Sequence, residues 1–285
     1  MCAIDAGIFS EIEHRLLEVE EAEGVRILFA VESGSRAWGF PSRDSDYDVR
    51  FIYLHQPEWY LSVNLESQRD VIERPLADSL DLDGWDIRKA LKLFAKSNPP
   101  LLEWLDSSIV YRDCFRFSER LRALRATFFS PPACAYHYLH MAQGNYRTYL
   151  RGPVVWVKKY FYVLRPLLAV RWIEQGRGIV PMLFPRLLET VADRPSLVTE
   201  IMDLLQRKIA GEELDKGPAI APIQDFISNE LSRLETLDVH SVRPQIDQDK
   251  LNYVFREMLN TVWAPPGQSR AISNGGDCKT DRSVY

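Results

Sequence analysis

Apolar and polar positions along this chain follow two different periods. Over residues 5–22, Ile8, Ile12, Leu16, Leu17 and Val19 recur at roughly helical spacing among acids, which predicts an amphipathic helix. Val25-Arg26-Ile27-Leu28-Phe29-Ala30-Val31 is short, apolar and rich in strand formers, and it runs into Glu32-Ser33-Gly34-Ser35. That pattern is a strand ending in a small-residue turn. Residues 36–45 are turn-rich, and a second strand follows over 47–54. Residues 70–73 and 80–82 read as short strands. From 85 to 95 the period becomes helical through Ile87, Ala90, Leu91, Leu93 and Phe94. Asn98-Pro99-Pro100 should end that helix, because proline brings no backbone donor. Residues 101–105 are apolar again, and 117–128 read as a helix.

Ser130-Pro131-Pro132 is the strongest break in the chain. Beyond it strand signals nearly vanish, and 133–150, 154–175, 185–190, 196–209, 222–237 and 246–263 all favour helices. From Ala264 onward the chain is polar and rich in Pro, Gly and Ser, the composition of a disordered tail. The expected organisation is an α+β domain over 1–130, an all-α domain over 131–263 that closes a cleft, and a disordered tail over 264–285. There is no internal repeat.

Composition narrows the function classes. The chain has 285 residues, 46% hydrophobic and 26% charged, which is ordinary globular usage. With 35 basic against 40 acidic residues the net charge is −5, which excludes a bulk nucleic-acid coat but leaves room for a local basic groove. No stretch is long and apolar enough to cross a bilayer, and the start at Met1 lacks a basic leader region, so a cytoplasmic location away from membranes is expected. Cys2, Cys114, Cys134 and Cys278 are scattered without a paired motif and read as free thiols.

The segment that carries chemistry is Gly34-Ser35 followed by Asp46-Tyr47-Asp48, set between two predicted strands. Aspartates two apart on a strand project to the same face. Like charges held that close call for a cation, and hard oxygen ligands suit Mg²⁺. The Gly-Ser turn offers backbone N–H groups and a hydroxyl to the phosphates of a nucleoside triphosphate. A third carboxylate would complete a two-metal site able to clamp an in-line phosphoryl transfer. Asp86, at a strand-to-helix junction, is the first candidate, and Asp81 and Asp83 lie in the same run; spacing does not separate the three.

The run Gly34-Ser35-Arg36-Ala37-Trp38-Gly39-Phe40 with Asp44-Ser45-Asp46-Tyr47-Asp48-Val49-Arg50 resembles the DNA polymerase β-type nucleotidyltransferase superfamily. Gly84-Trp85-Asp86-Ile87-Arg88-Lys89-Ala90-Leu91, Ser97-Asn98-Pro99 with Glu103-Trp104-Leu105, and Lys158-Lys159-Tyr160-Phe161 through Pro166 are similar to its RNA-repair and RNA-ligase-associated branch. The resemblance implies a small mixed sheet flanked by helices and followed by a helical domain. It implies transfer of a nucleoside monophosphate from ATP or another triphosphate to an acceptor hydroxyl, with pyrophosphate released. Mg²⁺ or Mn²⁺, two ions, would sit on Asp46, Asp48 and Asp86. Gly34, Ser35 and Arg36 would hold phosphate. Partners would be RNA and an RNA ligase or other repair protein. Adenylylation of a protein and a non-catalytic nucleotide-binding scaffold are the competing functions.

Other residues have both a functional and a plain structural reading. One of Lys158 and Lys159 could reach the triphosphate and Tyr160 or Tyr162 the base, or the lysine stems could simply cover an apolar face. Arg36 leans towards phosphate, and Arg50 towards an ion pair with the acids. His137 and His140 share a helical face with Gln143, Asn145 and Tyr146; hydrogen bonding in a cleft suits them better than a metal. Trp38, Trp85, Trp104 and Trp156 are stacking candidates, with Trp85 and Trp104 assigned to the core and Trp38 to the surface. Arg112, Arg116, Arg120, Arg122 and Arg125 form either a solvated helix face or an RNA-facing patch.

Overall fold

The computed structural model describes residues 4–77, 79–212, 214–235 and 247–264, the side chains of 75–77 excepted. The expected tail, residue 264 aside, lies outside them. Helix α1 (Ala6–Glu23) starts where the Asp5 carboxylate accepts the N–H groups of Gly7 and Ile8, and stops at Gly24, whose φ of 64° is the left-handed cap conformation. Its buried stripe, Ile12, Leu16 and Val19, lies on a five-stranded sheet.

In chain order that half runs β1 (Val25–Glu32), α2 (Gly34–Ala37), β2 (Tyr47–His55), α3 (Pro57–Tyr60), β3 (Val71–Ala77), β4 (Leu80–Asp86), α4 (Ile87–Ala95), α5 (Pro99–Leu105) and β5 (Val110–Asp113). The strand order is β3-β4-β2-β1-β5, with β2 and β4 parallel and the other neighbours antiparallel. Alternation sorts the side chains. Val49, Phe51, Tyr53, Leu80 and Leu82 join α1 on one face, and Ile52 and Leu54 join α4 and α5 on the other. With both faces covered, the strands read as nearly continuous apolar runs. Helix α4 ends at Ala95, ahead of the proline pair as expected, and the same pair begins the next helix. Asn98 accepts the Leu101 N–H, and Pro99 takes the first helical position, where a missing donor costs nothing.

The second half comprises α6 (Phe117–Phe128), α7 (Pro131–Tyr149), β6 (Val154–Trp156), α8 (Tyr160–Glu174), α9 (Phe184–Leu187), α10 (Pro195–Ile209), β7 (Lys216–Pro218), α11 (Ala221–Glu235) and α12 (Gln248–Val262). Helix α8 is buried nearly all round and is the axis of this half. The helix expected over 154–175 is therefore shorter, because β6 pairs antiparallel with β7 in a separate two-stranded ribbon. β5, β6 and β7 carried no strand signal.

One apolar core runs from Leu28, Ile52 and Leu54 of the sheet to Leu164, Ile201, Ile227 and Met258 of the helices. A polar knot crosses it. Glu103 on α5 pairs with Arg165 on α8, both buried, and also accepts the hydroxyl of Tyr138 on α7 at 2.7 Å. The Arg165 guanidinium lies 4.8 Å from the Trp38 ring centre, and Trp38 Nε1 donates to Glu103 at 3.4 Å. This fixes the loop after α2 against the helical half. Cys134 is a buried free thiol, whereas Cys114 is disulfide-bonded, which corrects the expectation of free thiols throughout. No helix among the described residues is long and apolar enough to cross a membrane.

Candidate active site

Strand β1 delivers the Gly-Ser turn beside the start of β2. The Ser33 N–H donates to the Asp48 carbonyl at 2.8 Å. Gly34 follows at a φ of 58°, and a Cβ there would stand 1.9 Å from Asp48 Oδ2. The carboxylate thus occupies the room that a side chain would take, and only glycine permits both the backbone conformation and that approach. The N–H groups of the first turn of α2 have no partner within that turn. Ser35 donates to Ser45 at 3.2 Å, and Ser45 in turn accepts the Ser42 N–H at 2.9 Å, closing the loop that carries Asp46.

Asp46 is exposed just ahead of β2, and its charge is felt by Asp48. Arg36 is committed to this loop. It donates to the Ser45 carbonyl at 2.6 Å and the Asp46 carbonyl at 3.2 Å, and its guanidinium lies 3.8 Å from the Tyr47 ring centre. Arg43 is exposed. Arg50 shares the face of Asp48 and bridges two acids, at 3.2 Å from Asp48 Oδ1 and 2.7 Å from Asp81 Oδ2. The ion-pair reading of Arg50 describes what it does here.

The parallel register decides which later carboxylate approaches the pair. Asp48 lies opposite Asp81, Arg50 opposite Asp83, and Tyr53 opposite Asp86. Asp86 is therefore five residues further along the ladder, roughly 16 Å away at the usual strand rise. It is buried, caps α4 through the Arg88 N–H at 2.8 Å, and accepts the Tyr60 hydroxyl at 2.6 Å. The structure does not bring Asp86 to the aspartate pair; it brings Asp81 there and Asp83 next to it. Strand-to-helix position made Asp86 attractive, and the same position makes it a cap.

Burial pushes the Asp48 carboxyl above its ordinary range; Arg50 opposes that, while Asp81 and Asp46 add to it. Asp83 is raised mainly by burial, and its Oδ1 has no hydrogen-bond partner. Behind the pair, fully buried Glu32 accepts the Asp48 N–H at 3.1 Å and the Tyr111 hydroxyl. Burial pushes Glu32 up to about 7. Among the described residues no three His, Cys, Asp or Glu side chains converge to hold a metal as they stand. Arg50 puts a positive group between two of the carboxylates.

The helical half contributes the opposite charge. Lys159 lies 4.3 Å from the Tyr162 ring centre and 4.9 Å from that of Tyr149. Tyr162 is raised first by burial and then by the charges of Asp48 and Asp46, so it lies within reach of the acids' field. Its ring also meets Trp38 edge-on at 5.8 Å. Lys208 on α10 stands 5.7 Å from the Phe40 ring centre. Lys159 and Lys208 are both lowered, first by burial and then by Lys158, and neither has a carboxylate partner among the described residues. Lys158 points elsewhere, towards Trp156 and Asp215. Tyr160 is fully buried, donates to Gln224 at 3.1 Å and accepts the Ile220 N–H at 3.0 Å, so it is a packing residue rather than a nucleotide contact. Lys208 and Glu32 gave no sequence signal: one is an ordinary lysine near a helix end, the other the last residue of a strand.

The remaining candidates sort plainly. Trp85 and Trp104 meet with ring centres 4.1 Å apart and planes tilted by 35°, Trp104 in the core and Trp85 packed against it. Trp38 is held by Glu103 and Arg165 and is not a free platform. His140 contacts its own helix at the Tyr136 carbonyl, and Tyr146 meets Ser228 at 3.4 Å. The arginine patch is used up internally. Arg112 pairs with Glu13 and Glu20, Arg116 with Glu119, Arg120 with Glu257 and Arg125 with Asp106, while Arg122 donates to the Leu105 carbonyl.

Comparison with known proteins bears on this geometry. The profile of the RNA repair pathway DNA polymerase beta family matches residues 8–257. The uncharacterized protein YcgL of Bacillus subtilis (strain 168) is 51% identical over 247 residues, which cover 87% of this chain and 94% of YcgL. A nucleotidyltransferase-like protein of solved structure from Exiguobacterium sibiricum 255-15 aligns over 87% of this chain and 89% of its own, at 12% identity and a TM-score of 0.30. That structural likeness is too loose to carry an argument about the site.

Proposed function

Because this chain belongs to the RNA repair pathway DNA polymerase beta family, we propose that it transfers a nucleoside monophosphate from a triphosphate to an acceptor hydroxyl, with an RNA 3′ end as acceptor. The observation that carries the reading is the Gly34–Asp48 contact, with Arg50 bridging Asp48 to Asp81. A turn with no side chain opens directly onto clustered acids, and the acids are already arranged about a positive group. Those residues suit a divalent cation, which Asp46, Asp48 and Asp81 would hold beside Arg50. When bound, such a cation neutralises charge on the transferring phosphoryl group and acidifies the attacking hydroxyl.

The protein's own groups do the rest. The turn at Gly34 and Ser35 faces the triphosphate with unpartnered N–H groups. Lys159 and Lys208 supply ammonium charge to the terminal phosphates, which offsets their loss of hydration. Tyr162 and the loop held by Arg36 form the walls. In this reading Asp81 takes the proton of the attacking hydroxyl as the new phosphodiester forms and pyrophosphate leaves with the terminal phosphates.

The test is pyrophosphate release by the full chain with Mg²⁺ and each labelled triphosphate, with and without RNA. Asp46→Asn, an exposed change, should abolish release while the thermal transition is kept. Release at the wild-type rate from that variant defeats the site assignment. RNA lengthened at its 3′ end by one or a few nucleotides is the expected product. Label on protein instead defeats the RNA acceptor and favours adenylylation.

A further inference from the structure

Arginine and lysine are used differently in this molecule. The arginines of 112–125 are spent on carboxylates and carbonyls, but a second basic group lies on the β6–β7 ribbon. In its antiparallel register Val154 faces Pro218, Val155 faces Gly217 and Trp156 faces Lys216. Val155 is buried and Val154 is 59% exposed, so the ribbon has an inner and an outer face. Trp156, Lys216, Val154 and Pro218 share the outer one. An isolated two-stranded ribbon is marginal, and this one is anchored through buried Val155, Val157 and Leu214.

The Lys158 ammonium lies 5.7 Å from the Trp156 ring centre, and the Lys216 ammonium 5.1 Å from it. The backbone keeps Lys158 there, because its N–H donates to the Leu214 carbonyl at 2.9 Å and the Val157 N–H to the Asp215 carbonyl at 2.8 Å. Arg151 is exposed at the approach to β6. Among the described residues one acid pairs with these lysines: Asp215 meets Lys158 at 3.6 Å, a pair exposed on both sides and worth little in water. Lys216 has no carboxylate partner among the described residues.

We infer that the outer face of this ribbon binds single-stranded RNA, with a base stacked on Trp156 and flanking phosphates on Lys158 and Lys216. An indole ring between cations is the arrangement that holds unpaired strands without reading sequence. Duplexes do not fit it, since their bases have no free face to offer. Continuity with the acids gives the surface its role. Lys158 adjoins Lys159 in the chain, Lys159 covers Tyr162, and the charges of Asp46 and Asp48 reach Tyr162. A strand lying on the ribbon therefore runs towards the aspartate pair, as an acceptor must. In that role the inference rests on the nucleotidyl-transfer reading; the binding itself does not.

The experiment is fluorescence anisotropy of a labelled oligoadenylate RNA titrated with the full chain, in chelator and without triphosphate. Trp156→Ala should weaken binding about tenfold or more, and Trp156→Phe should keep most of it. Lys216→Ala should lower the slope of log affinity against log salt by roughly 0.7, one phosphate contact on a single strand. No binding by the wild type, or wild-type affinity and slope in both alanine variants, overturns the inference. So does tighter binding of duplex RNA or of single-stranded DNA of the same sequence. Because neither metal nor triphosphate is present, absent pyrophosphate release with intact, Trp156-dependent binding counts against catalysis alone.

Discussion

The two ends of the β2–β4 pair each draw a carboxylate out of water, fully at Asp86 and partly at Asp48, and they treat it in opposite ways. At one end Asp86 accepts a tyrosine hydroxyl and a helix N–H, has no cation bound to it, and lies under α3 and α4. At the other, Asp48 faces Arg50, Asp81 and Asp46 across an open turn. Burial raises both acids. One is satisfied by neutral donors and is part of the scaffold. The other is left among like charges, with Arg50 paired to it and the charge of Arg36 felt as well, an arrangement that stabilises little by itself. What separates the two acids is thus the partners each has, not burial.

Matched substitutions would break this contrast most sharply. Asp48→Asn should cost more than about 100-fold in pyrophosphate release, since even residues that merely orient metal ligands cost 10–100-fold. Its thermal stability should stay within about 1 kcal/mol of wild type. Asp86→Ala should do the reverse. Loss of the cap costs about 1 kcal/mol, and the stranded Tyr60 hydroxyl adds about 1–3 kcal/mol. Below its lowered melting point, however, it should release pyrophosphate within a few-fold of wild type. Equal losses of activity in the two variants would show that the ends are not distinct.

The same contrast shows what a sequence can carry. Strands β1 and β2 and helices α4 and α6 announce themselves in local patterns, and so do Gly34, Ser35, Asp46 and Asp48, which lie within fifteen residues of one another. The third acid depends on the register between β2 and β4, a non-local quantity, and Asp86 and Asp81 are indistinguishable until the strands pair. The ribbon is a harder case. Val154 to Trp156 continue into an apolar helical run, and only pairing with residues 216–218, sixty positions later, makes them a strand. Lys158 and Lys159 look equivalent in the chain, yet they point to different places. Tyr160 beside them turns inward to Gln224.

Titration sharpens the comparison further. At the open end, Glu32 has a folded value of about 7, above its value in the unfolded chain. An acid shifted upward binds its proton more tightly in the folded state, so its contribution is full below about pH 4.5 and is lost as the pH rises towards 7. The full effect is about 3 kcal/mol at most. Glu32→Gln, which keeps an acceptor for the Asp48 N–H and offers the Tyr111 oxygen an amide N–H in place of the acceptor it now has, should flatten the decline in melting temperature over that window. Parallel pH curves for variant and wild type would show that Glu32 does not titrate there.

The closed end should titrate with the opposite sign and a smaller size. His55 stacks on Trp59 at 4.0 Å, packs edge-on against Tyr53, and is lowered to about 4, chiefly by burial. A histidine shifted downward favours its neutral form in the folded state. Its contribution is therefore full above about pH 6.5 and is lost as the pH falls through 4. The ring is only half-buried, so water screens part of the cost of charging it, and about 1 kcal/mol is the reasonable size. His55→Phe retains a ring against Trp59 and removes the titrating nitrogen. Guanidinium unfolding at pH 7 should place variant and wild type close together, and at pH 4.5 the variant should be the more stable by about that amount. If the gap has the same size at both pH values, the lost packing rather than the lost charge accounts for it, and the difference in electrostatic character between the two ends then rests on the aspartates alone.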